Sequence, residues 1–414
     1  MTRSERTYYL VAGGYAFAGF FIAPIYPLFL LSRGLDLFEI NCVLAVYLIS
    51  VFLFEVPTGA VADLFGRKVS FLLSCAVRLG AYALYSRSRG FADCVVAEFI
   101  DAIGTTLASG ALEAWVVDER RAEGDERPTD AMFARGQVIS RTLMVFGGVA
   151  AGYLAAWQGI ELPWLVAAAG FGLTGVLGAV YMHETHEPPG LRGSRAIGHA
   201  MFDGVRAVRA SPVLLVICLI SLAVSFGALP VYMFWQPRME ALAGADLRLI
   251  GWIWAFLCVA ALTGSALVPP LLRRFERHTI LCVATLWRAA LLLVAATATT
   301  IQPALAGLFL QEISFGLTDP VLTAWANEHV RSEQRATVLS VRSTFWTLGG
   351  AAGLIAIGLI ARNAGIPAGW YVSAAVIALA APGYLLLGRV ARRIALPESL
   401  DVVAVTPGKV ITGS

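Results

Sequence analysis

The stretch Gly59-Ala60-Val61-Ala62-Asp63-Leu64-Phe65-Gly66-Arg67-Lys68 joins two long apolar runs, the first ending near Ala62 and the second starting near Val69. A connection this short can only return the chain to the layer that it has just left. Its two glycines permit a tight turn and a close approach of two helices. Its acid and its two bases lie where a carboxylate can pair with helix-end groups or with an arginine.

The composition of the whole chain indicates a membrane protein. Hydrophobic residues make up 58% of the 414 residues and charged residues only 14%, whereas soluble domains have about 45–50% apolar and about 25% charged residues. The lipid bilayer is therefore the first predicted partner. The net charge of +3 is too small, and the bases too dispersed over short loops, to indicate a nucleic-acid partner. No cofactor is predicted.

Apolar runs of about 20 residues, the length that a membrane-spanning helix needs, occur twelve times. The sequence thus predicts an all-α membrane protein with twelve transmembrane helices, at residues 8–31, 41–62, 69–88, 91–118, 133–157, 163–182, 211–236, 249–270, 279–299, 303–328, 337–361 and 368–388. Because the residues before the first run are polar and the run itself is long enough to span, no cleavable signal peptide is expected.

The segment 183–210 divides the chain almost in half. Four of its apolar residues fall on one helical face, which predicts a short helix lying along the membrane surface: Ile197, Met201, Val205 and Val208. The predicted units are an N-terminal six-helix bundle at 1–182, a cytoplasmic connector at 183–210, a C-terminal six-helix bundle at 211–390 and a cytoplasmic tail at 391–414. Within the connector, His183-Glu184-Thr185-His186 lacks the H-E-x-x-H spacing of a metal pair, so we expect a solvated loop and no metal site.

Lysines and arginines predict the orientation. The loops on the side of the N-terminus carry 20 of them and the opposite loops carry 6. Because cytoplasmic loops are enriched in these residues, both termini are expected in the cytoplasm and the protein in the cell membrane.

The two halves of the sequence repeat each other. At a constant offset of 210 residues, Arg67, Arg78, Ala114 and Trp115 return as Arg277, Arg288, Ala324 and Trp325. Arg335-x-x-Val338-x-Ser340 repeats Arg135-x-x-Val138-x-Ser140 at an offset of 200 residues. Several matches of this kind predict two pseudo-symmetric six-helix units that arose by duplication.

The opening stretch resembles the loop between the second and third helices of the major facilitator superfamily of transporters, whose pattern is roughly G-x-x-x-D-x-x-G-R-K. The matching positions are Gly59, Asp63, Gly66, Arg67 and Lys68. The resemblance covers residues 8–390 and implies a binding site between the two halves near mid-membrane. It also implies that Asp63 contacts the start of span eleven and that Arg67 reaches Asp118, which would hold the cytoplasmic side shut in an outward-facing state.

Charged residues inside the apolar spans are the first functional candidates, because they are costly there. Arg78 with Asp101, and Arg288 with Glu312, fit two pseudo-symmetric ion pairs between neighbouring helices. One interpretation is that each pair locks a helix hairpin. The other is that a carboxylate takes up and releases a proton as the cavity alternates, with Asp101 and Glu312 first and Glu113 and Asp319 as further candidates.

A second charged group lies about two helical turns from the cytoplasmic face. On the resemblance, Glu113 faces the cavity or a gate, and Arg141 and Arg342 face each other across the two halves. Two interpretations stay open. The arginines bind an anionic substrate, or Glu113 forms a salt-bridge gate with one of them.

Aromatic and polar residues on the cavity-lining helices predict the pocket, and together they suggest an amphipathic organic substrate. They are Tyr15 and Tyr26 on span one, Thr106 and Ser109 on span four, Tyr232, Trp235 and Gln236 on span seven, and Ser314, Thr318 and Trp325 on span ten.

The sequence therefore predicts a secondary transporter, and not an enzyme, that works by rocking of two halves. The first hypothesis is monomeric, proton-coupled efflux (antiport) of an amphipathic organic small molecule. The second is uptake or exchange of an anionic metabolite bound by the intramembrane arginines, and the third is a membrane sensor that has lost transport.

Overall fold

In the computed structural model, residues 1–185, 206, 208–209, 211–244, 246–328 and 335–395 are described. This part of the chain is helical and contains no strand. Its helices are α1 (Arg3–Phe20), α2 (Tyr26–Ser32), α3 (Leu37–Phe65), α4 (Arg67–Tyr85), α5 (Phe91–Ala108), α6 (Ala111–Ala122), α7 (Asp130–Gln158), α8 (Leu162–Tyr181), α9 (Pro212–Ala243), α10 (Leu247–Leu272), α11 (Arg277–Thr297), α12 (Ile301–Glu328) and α13 (Arg335–Ala395).

Helical structure covers each of the twelve predicted runs. In the described ranges, nine helices are long and apolar enough to cross a membrane by length and composition alone. One of these, Ser340–Arg392, covers nearly all of the last two predicted runs, which are separated by a turn of α13 at Gly365 with φ 84° and ψ 164°. The chain is thus an all-α membrane protein.

Two predicted spans are broken rather than continuous. The first run is interrupted at residues 21–25 between α1 and α2. Pro24 lies in this break and Pro27 in the first turn of α2, and a proline cannot donate a backbone hydrogen bond to the preceding turn. The fourth run is interrupted at Ser109 and Gly110, and Gly110 has a φ of 69°, which only glycine adopts without strain. Both breaks fall on helices whose residues line the central cavity described below.

Helices α1–α8 pack into one bundle and α9–α13 into another. We call the end that carries the start of α1 and the end of α3 the inner face, which the sequence predicts to be cytoplasmic, and the opposite end the outer face. The bundles meet in their outer halves, where α3 packs on α13 and α7 on α10. At these crossings Asn41 contacts Gly358, and a Cβ on Gly152 would lie 2.6 Å from the carbonyl oxygen of Leu247.

Toward the inner face the bundles diverge. On α3 the buried residues stop at Ser50 except for Thr58, and Leu53 is 58% exposed. On α7 Gly147, Gly148, Ala151 and Ala155 are buried in the outer half, whereas Val138, closer to the inner face, is 66% exposed. The molecule therefore has an inward-open shape, closed at the outer face.

Helices α10 and α12 cross so closely that only glycine fits at the contact. A Cβ on Gly316 would lie 1.8 Å from the carbonyl oxygen of Ala261, and a Cβ on Gly264 would lie 2.0 Å from that of Ile313. We expect Gly316→Ala to force the helices apart and to lower the free energy of unfolding by about 1–3 kcal/mol. Thermal unfolding in detergent measures this loss.

The matched control is Gly80→Ala in α4, because a Cβ there would meet no atom within 4 Å and alanine favours a helix. Equal midpoints for the two variants would contradict the steric explanation.

The start of the connector is docked on the N-terminal bundle. The Glu184 carboxylate accepts hydrogen bonds from the backbone N–H of Arg67 at 2.6 Å and of Lys68 at 3.2 Å, and so caps α4. Trp115 Nε1 donates to the carbonyl oxygen of His183 at 2.7 Å, and Thr185 Oγ1 donates to Glu119 at 2.8 Å. Residues 183–185 are the expected loop, with His183 and Thr185 exposed. The loop is nevertheless docked, since orphan helix-end N–H groups attract an anion.

The rest of the predicted connector falls mainly outside the described residues. Of the four residues on its predicted helical face, only Val208 is described, and it is buried beside Leu214 and Cys218. The tail beyond Ala395 also lies outside the described part, so the domain boundaries stay predictions.

Candidate functional site

A central cavity lies between the two bundles and has two connected compartments. The wide compartment, about 650 Å³, is lined mainly by the N-terminal bundle. The narrow compartment, about 340 Å³, is lined by α7 and by the C-terminal bundle. Side chains shared by both are Ala16, Phe20, Gln137, Ser140, Tyr232, Trp235 and Trp254.

In the wide compartment, Arg78 and Asp101 form a bidentate ion pair. Arg78 Nε lies 2.7 Å from Asp101 Oδ1 and Arg78 Nη2 lies 3.2 Å from Asp101 Oδ2. The guanidinium also lies over the ring of Phe171, 4.4 Å from its centroid, and both side chains are buried. The pair predicted between spans three and four is present, and its geometry satisfies both charges.

The second predicted pair, Arg288 with Glu312, does not form. Arg288 Nε donates instead to Gln311 Oε1 at 3.1 Å, and Arg288 Nη2 is buried without a partner among the described residues. Gln311 is the residue 210 positions after Asp101, so an amide stands where the first half has a carboxylate. The acid is displaced by one residue to Glu312.

Glu312 lies in the wall of the narrow compartment and is held only by neutral groups. Tyr232 Oη donates to Glu312 Oε1 at 3.2 Å, and Gln311 Nε2 donates to Oε2 at 3.0 Å. The residue is 7% exposed, and no arginine, lysine or histidine of the described ranges comes within 4 Å of its carboxylate. An acid without a cation partner inside a membrane is costly as an anion.

Glu98 is a second buried acid without a cation partner in the described structure. It accepts a hydrogen bond from Tyr85 Oη, and Tyr85 in turn lies 3.4 Å from Tyr26 Oη. Trp164 stacks on Tyr85 with a centroid separation of 4.1 Å. These aromatic rings close the outer end of the wide compartment.

Arg141 and Arg342 line different compartments of the cavity. Arg342 is bound within its own bundle, by Asp319 at 3.0 Å, Thr323 Oγ1 at 2.8 Å and Ser221 Oγ at 3.3 Å. Arg141 lines the narrow compartment and bonds to no described side chain. That the two arginines face each other across the halves stays a prediction; in this inward-open shape Asp319 on α12 engages Arg342.

Glu113 lines the wide compartment, is exposed to it, and forms no ion pair with either arginine. The gate interpretation of Glu113 therefore has no contact to support it in this inward-open shape. A further inner compartment, about 370 Å³, includes Asp319, Arg342 and Phe315 and leads from the narrow compartment toward the inner face.

The predicted pocket residues divide into two sets. Those on spans one and seven line the cavity: Tyr15, Tyr26, Tyr232, Trp235 and Gln236. The other set does not contribute to the lining of the two central compartments. In it, the hydroxyls of Thr106, Ser314 and Thr318 donate to backbone carbonyls, Ser109 ends α5, and Trp325 packs in the core of the C-terminal bundle. Membrane helices often satisfy hydroxyls on their own backbone.

Sequence reasoning missed many polar or aromatic residues of the lining, among them Gln137, Trp254 and Gln311 in the narrow compartment and Tyr82, Tyr85 and Trp164 in the wide one. The offset of 210 residues could have found Gln311 as the counterpart of Asp101. Gln137 and Trp254 carry no such signal.

The loop motif from Gly59 to Lys68, with Asp118, was predicted to hold the cytoplasmic side shut, and only some of its predicted contacts are present. Arg67 donates to Asp118 and to the carbonyl oxygen of Ala114, so this predicted link is confirmed. Arg277 donates to Glu328 in the second half at the same separation of 51 residues. Asp63 has no partner among the described residues, and Gly59 has open space around it, as expected when the inner ends of the bundles are apart.

Gly66 ends α3 with a φ of 97°, and a Cβ there would lie 2.6 Å from Glu184 Oε2. Its place therefore requires glycine on two counts, the backbone conformation and the space that the capping carboxylate needs. Lys68 Nζ donates to the carbonyl oxygens of Ala179 and Met182, so both bases of the motif serve to fix the inner end of the N-terminal bundle.

Outside the membrane, the loop between α6 and α7 is held by charge. Hydrogen bonds from Arg127 and Arg120 hold the pKa of the Asp125 carboxyl well below its usual range. Arg120 also lies 3.4 Å from Glu5 at the start of α1. An acid with a lowered pKa stabilises the fold above its unfolded-state pKa, and this contribution is lost as the pH falls through the folded-state value.

At the outer face, Arg362 of α13 and Asp36 at the start of α3 form an ion pair of 3.1 Å between the bundles. Because a half-exposed pair contributes about 0–1 kcal/mol, we expect Arg362→Gln to raise the outward-open population by at most about fivefold. Reaction of Cys42 on the outer part of α3 with an impermeant maleimide measures this. Arg33→Gln is the control, since Arg33 pairs with Glu161 inside one bundle, and an equal increase in both variants would contradict a role between bundles.

Two helical bundles that meet at one end and enclose a cavity with buried charges define a membrane transport protein. The chain belongs to the Major Facilitator Superfamily, because the sequence model of that family matches residues 8–284 and 239–406. Because members of this family are transporters, the protein is not an enzyme.

Individual relatives support the same assignment. The chain is 24% identical over 362 residues to the uncharacterized MFS-type transporter YxaM of Bacillus subtilis (strain 168), covering 85% of this chain and 88% of the relative. The crystal structure of the nucleoside transporter NupG superposes with a TM-score of 0.76 at 12% identity, covering 94% and 100% of the two chains. A bacterial homologue of the human lysosomal transporter Spinster, inward-facing and unoccupied, gives a TM-score of 0.73 at 14% identity, covering 94% and 97%. At these identities the structures show the fold alone.

Proposed function

We propose that this protein is a proton-coupled secondary transporter that exports an amphipathic organic small molecule, with Glu312 as the proton-binding residue. The observation that carries the proposal is the place of Glu312 in the cavity wall, buried and bonded only to Tyr232 and Gln311. Proton binding would remove the cost of an unpaired charge when the cavity is dry, and release would follow when the cavity is wet. Asp101 is less suited, because Arg78 already neutralises it.

The lining of the cavity supports an aromatic or amphipathic substrate. Tyrosine, tryptophan and phenylalanine side chains form much of both compartments, and such rings bind flat apolar groups while their polar edges give orientation. Within the described ranges, three acids of the cavity wall lack an ion-pair partner, Glu98, Glu113 and Glu312. Against them stand two arginines without a carboxylate partner there, Arg141 on the wall and Arg288 bonded to Gln311 behind it. This charge balance favours a neutral or cationic compound over an anion.

One observation favours the second hypothesis, uptake or exchange of an anionic metabolite. Arg141 faces the narrow compartment with no described partner, and a free arginine binds a carboxylate or phosphate well. We rank this second because only this arginine of the two predicted ones is available.

Reconstitution in proteoliposomes tests both. Compounds that raise the thermal unfolding midpoint would first be selected from matched sets of organic cations, neutral compounds and anions. Their flux is then measured with and without an imposed pH gradient. Proton-coupled export requires cations or neutral compounds to move against their gradient when protons move the other way. Flux of anions only, lost in Arg141→Ala, would replace the first hypothesis by the second, and binding without any flux would indicate a sensor.

A further inference from the structure

A second kind of site lies at the inner face of the C-terminal bundle, outside the transport cavity. It is an open cavity of about 660 Å³ between the end of α10, the start of α11 and the end of α13, and basic side chains dominate its wall. They are Arg273, Arg274, Arg277, His278 and Arg392.

Two of these charges have no acidic partner among the described residues. Arg277 pairs with Glu328, and Arg392 pairs with Glu276, which also lies 3.2 Å from His278 Nδ1. The side chains of Arg273 and Arg274 are exposed and bond to no side chain in the described ranges. Counting the described residues, the cavity therefore keeps an excess of two positive charges even with the Glu276 carboxylate in place.

The equivalent position of the N-terminal bundle, at the start of α4, binds an anion. There the chain itself supplies an anion, because the Glu184 carboxylate binds the backbone N–H groups of Arg67 and Lys68. At the equivalent start of α11, 210 residues later, the side chain of Glu276 makes no capping hydrogen bond. The two arginines just before it have no counterpart in the first half, where Asp63 and Leu64 stand.

An apolar groove continues from the basic cavity along the membrane-facing side of the bundle. It has a volume of about 320 Å³, lies between α10, α11 and α12, and shares Phe275 with the basic cavity. Phe275, Val283 and Trp287 along it are 54%, 59% and 52% exposed. A basic cavity at the membrane surface that leads into an apolar groove matches the two parts of a phospholipid.

We propose that this site binds an anionic phospholipid of the leaflet at the inner face, with its phosphate at Arg273 and Arg274 and one acyl chain in the groove. The charge of the cavity selects the anionic headgroup, and the groove selects a lipid over a free anion. The bound lipid bridges the loop before α11 to the end of α13, as residues 183–185 bridge α4 and α6 in the other half. The proposal is independent of which substrate the central cavity carries.

The test is lipid retention by the full chain in nanodiscs that mix phosphatidylglycerol and phosphatidylcholine, read by native mass spectrometry after release. We expect selective retention of phosphatidylglycerol, reduced about thirtyfold in Arg273→Gln/Arg274→Gln, since each arginine near a membrane surface contributes about a factor of five. Arg87→Gln/Arg89→Gln is the matched control, because these two arginines are exposed at the outer face, and it should retain the lipid.

A third variant distinguishes binding of a whole phospholipid from binding of a free anion that resembles its headgroup. Val283→Trp should fill the exposed groove and reduce retention of phosphatidylglycerol, while leaving binding of soluble glycerol phosphate unchanged. Equal losses in the two double-arginine variants would overturn the proposal in favour of general surface charge. Strong binding of glycerol phosphate that is insensitive to Val283→Trp, with no selective lipid retention, would overturn it in favour of a free-anion site.

Discussion

Glu312→Gln should abolish transport driven by a pH gradient while leaving the protein folded. In the wild type, one proton exchanged per substrate allows a gradient of one pH unit to support about tenfold accumulation, because one unit is worth about 1.4 kcal/mol. In the variant the accumulation ratio should fall to about one, since glutamine cannot release a proton. It can still accept from Gln311 Nε2 through its oxygen and donate to Tyr232 Oη through its NH2. The measurement is accumulation of a compound selected by thermal shift, with lumenal pyranine reporting proton movement.

The matched control is Glu240→Gln, an identical chemical change on an exposed glutamate at the outer end of α9, which should keep full coupling. The other two acids of the cavity without an ion-pair partner in the described ranges, Glu98 and Glu113, are the alternative proton-binding residues. If Glu98→Gln or Glu113→Gln loses proton movement while Glu312→Gln keeps it, the proton site is elsewhere and the proposal for Glu312 fails. Loss of substrate binding in Glu312→Gln without loss of folding would instead place Glu312 in substrate recognition.

Asp101→Ala should be the most destabilising of the charge substitutions in the cavity. It leaves the Arg78 guanidinium buried without its carboxylate, and the loss of one partner of a buried pair costs about 3–5 kcal/mol. Gln311→Ala at the equivalent place in the second half removes a neutral partner of Arg288 and should cost about 1.5–3 kcal/mol. Thermal unfolding in detergent, followed by the reaction of buried cysteines with a thiol dye, compares the two.

A double variant distinguishes an ion pair from simple packing. Because the desolvation of both charges offsets much of their attraction, Arg78→Leu/Asp101→Leu should recover most of the stability that Asp101→Ala loses. A double variant less stable than Asp101→Ala would show that packing, and not the ion pair, accounts for the loss. Equal losses for Asp101→Ala and Gln311→Ala would show that the two halves do not differ in the way their geometry indicates.

The sequence predicted the fold class because apolar length and loop charge are local properties. A run of about 20 apolar residues has few alternatives to a spanning helix, and the run from 91 to 118 was recognised even though Gly110 breaks it. The link from Arg67 to Asp118 was predicted correctly from the motif. A short turn holds Arg67 at the start of α4, within reach of the end of α6.

The candidate site was predicted less well, because its contacts are decided by side chains on different helices. Glu312, the expected partner of Arg288, lies one residue after the position on α12 that faces Arg288, which Gln311 occupies. A shift of one residue turns a side chain by about 100° around a helix. That rotation gives Arg288 an amide and leaves Glu312 to neutral groups. Similarly, the ion pair of Arg342 with Asp319 was not predicted, because it depends on how α12 and α13 are placed relative to each other.

The sequence by itself determined that this chain spans a membrane, that its halves repeat, and that its charges concentrate on a few spans, since each of these follows from composition, length and offset along the chain. Only the tertiary structure decided which charges are neutralised, that Glu184 caps α4 and that the cavity opens at the inner face. These depend on distances of a few ångströms between helices far apart in sequence, where electrostatic interaction is strong and a residue's nearest partner decides its role.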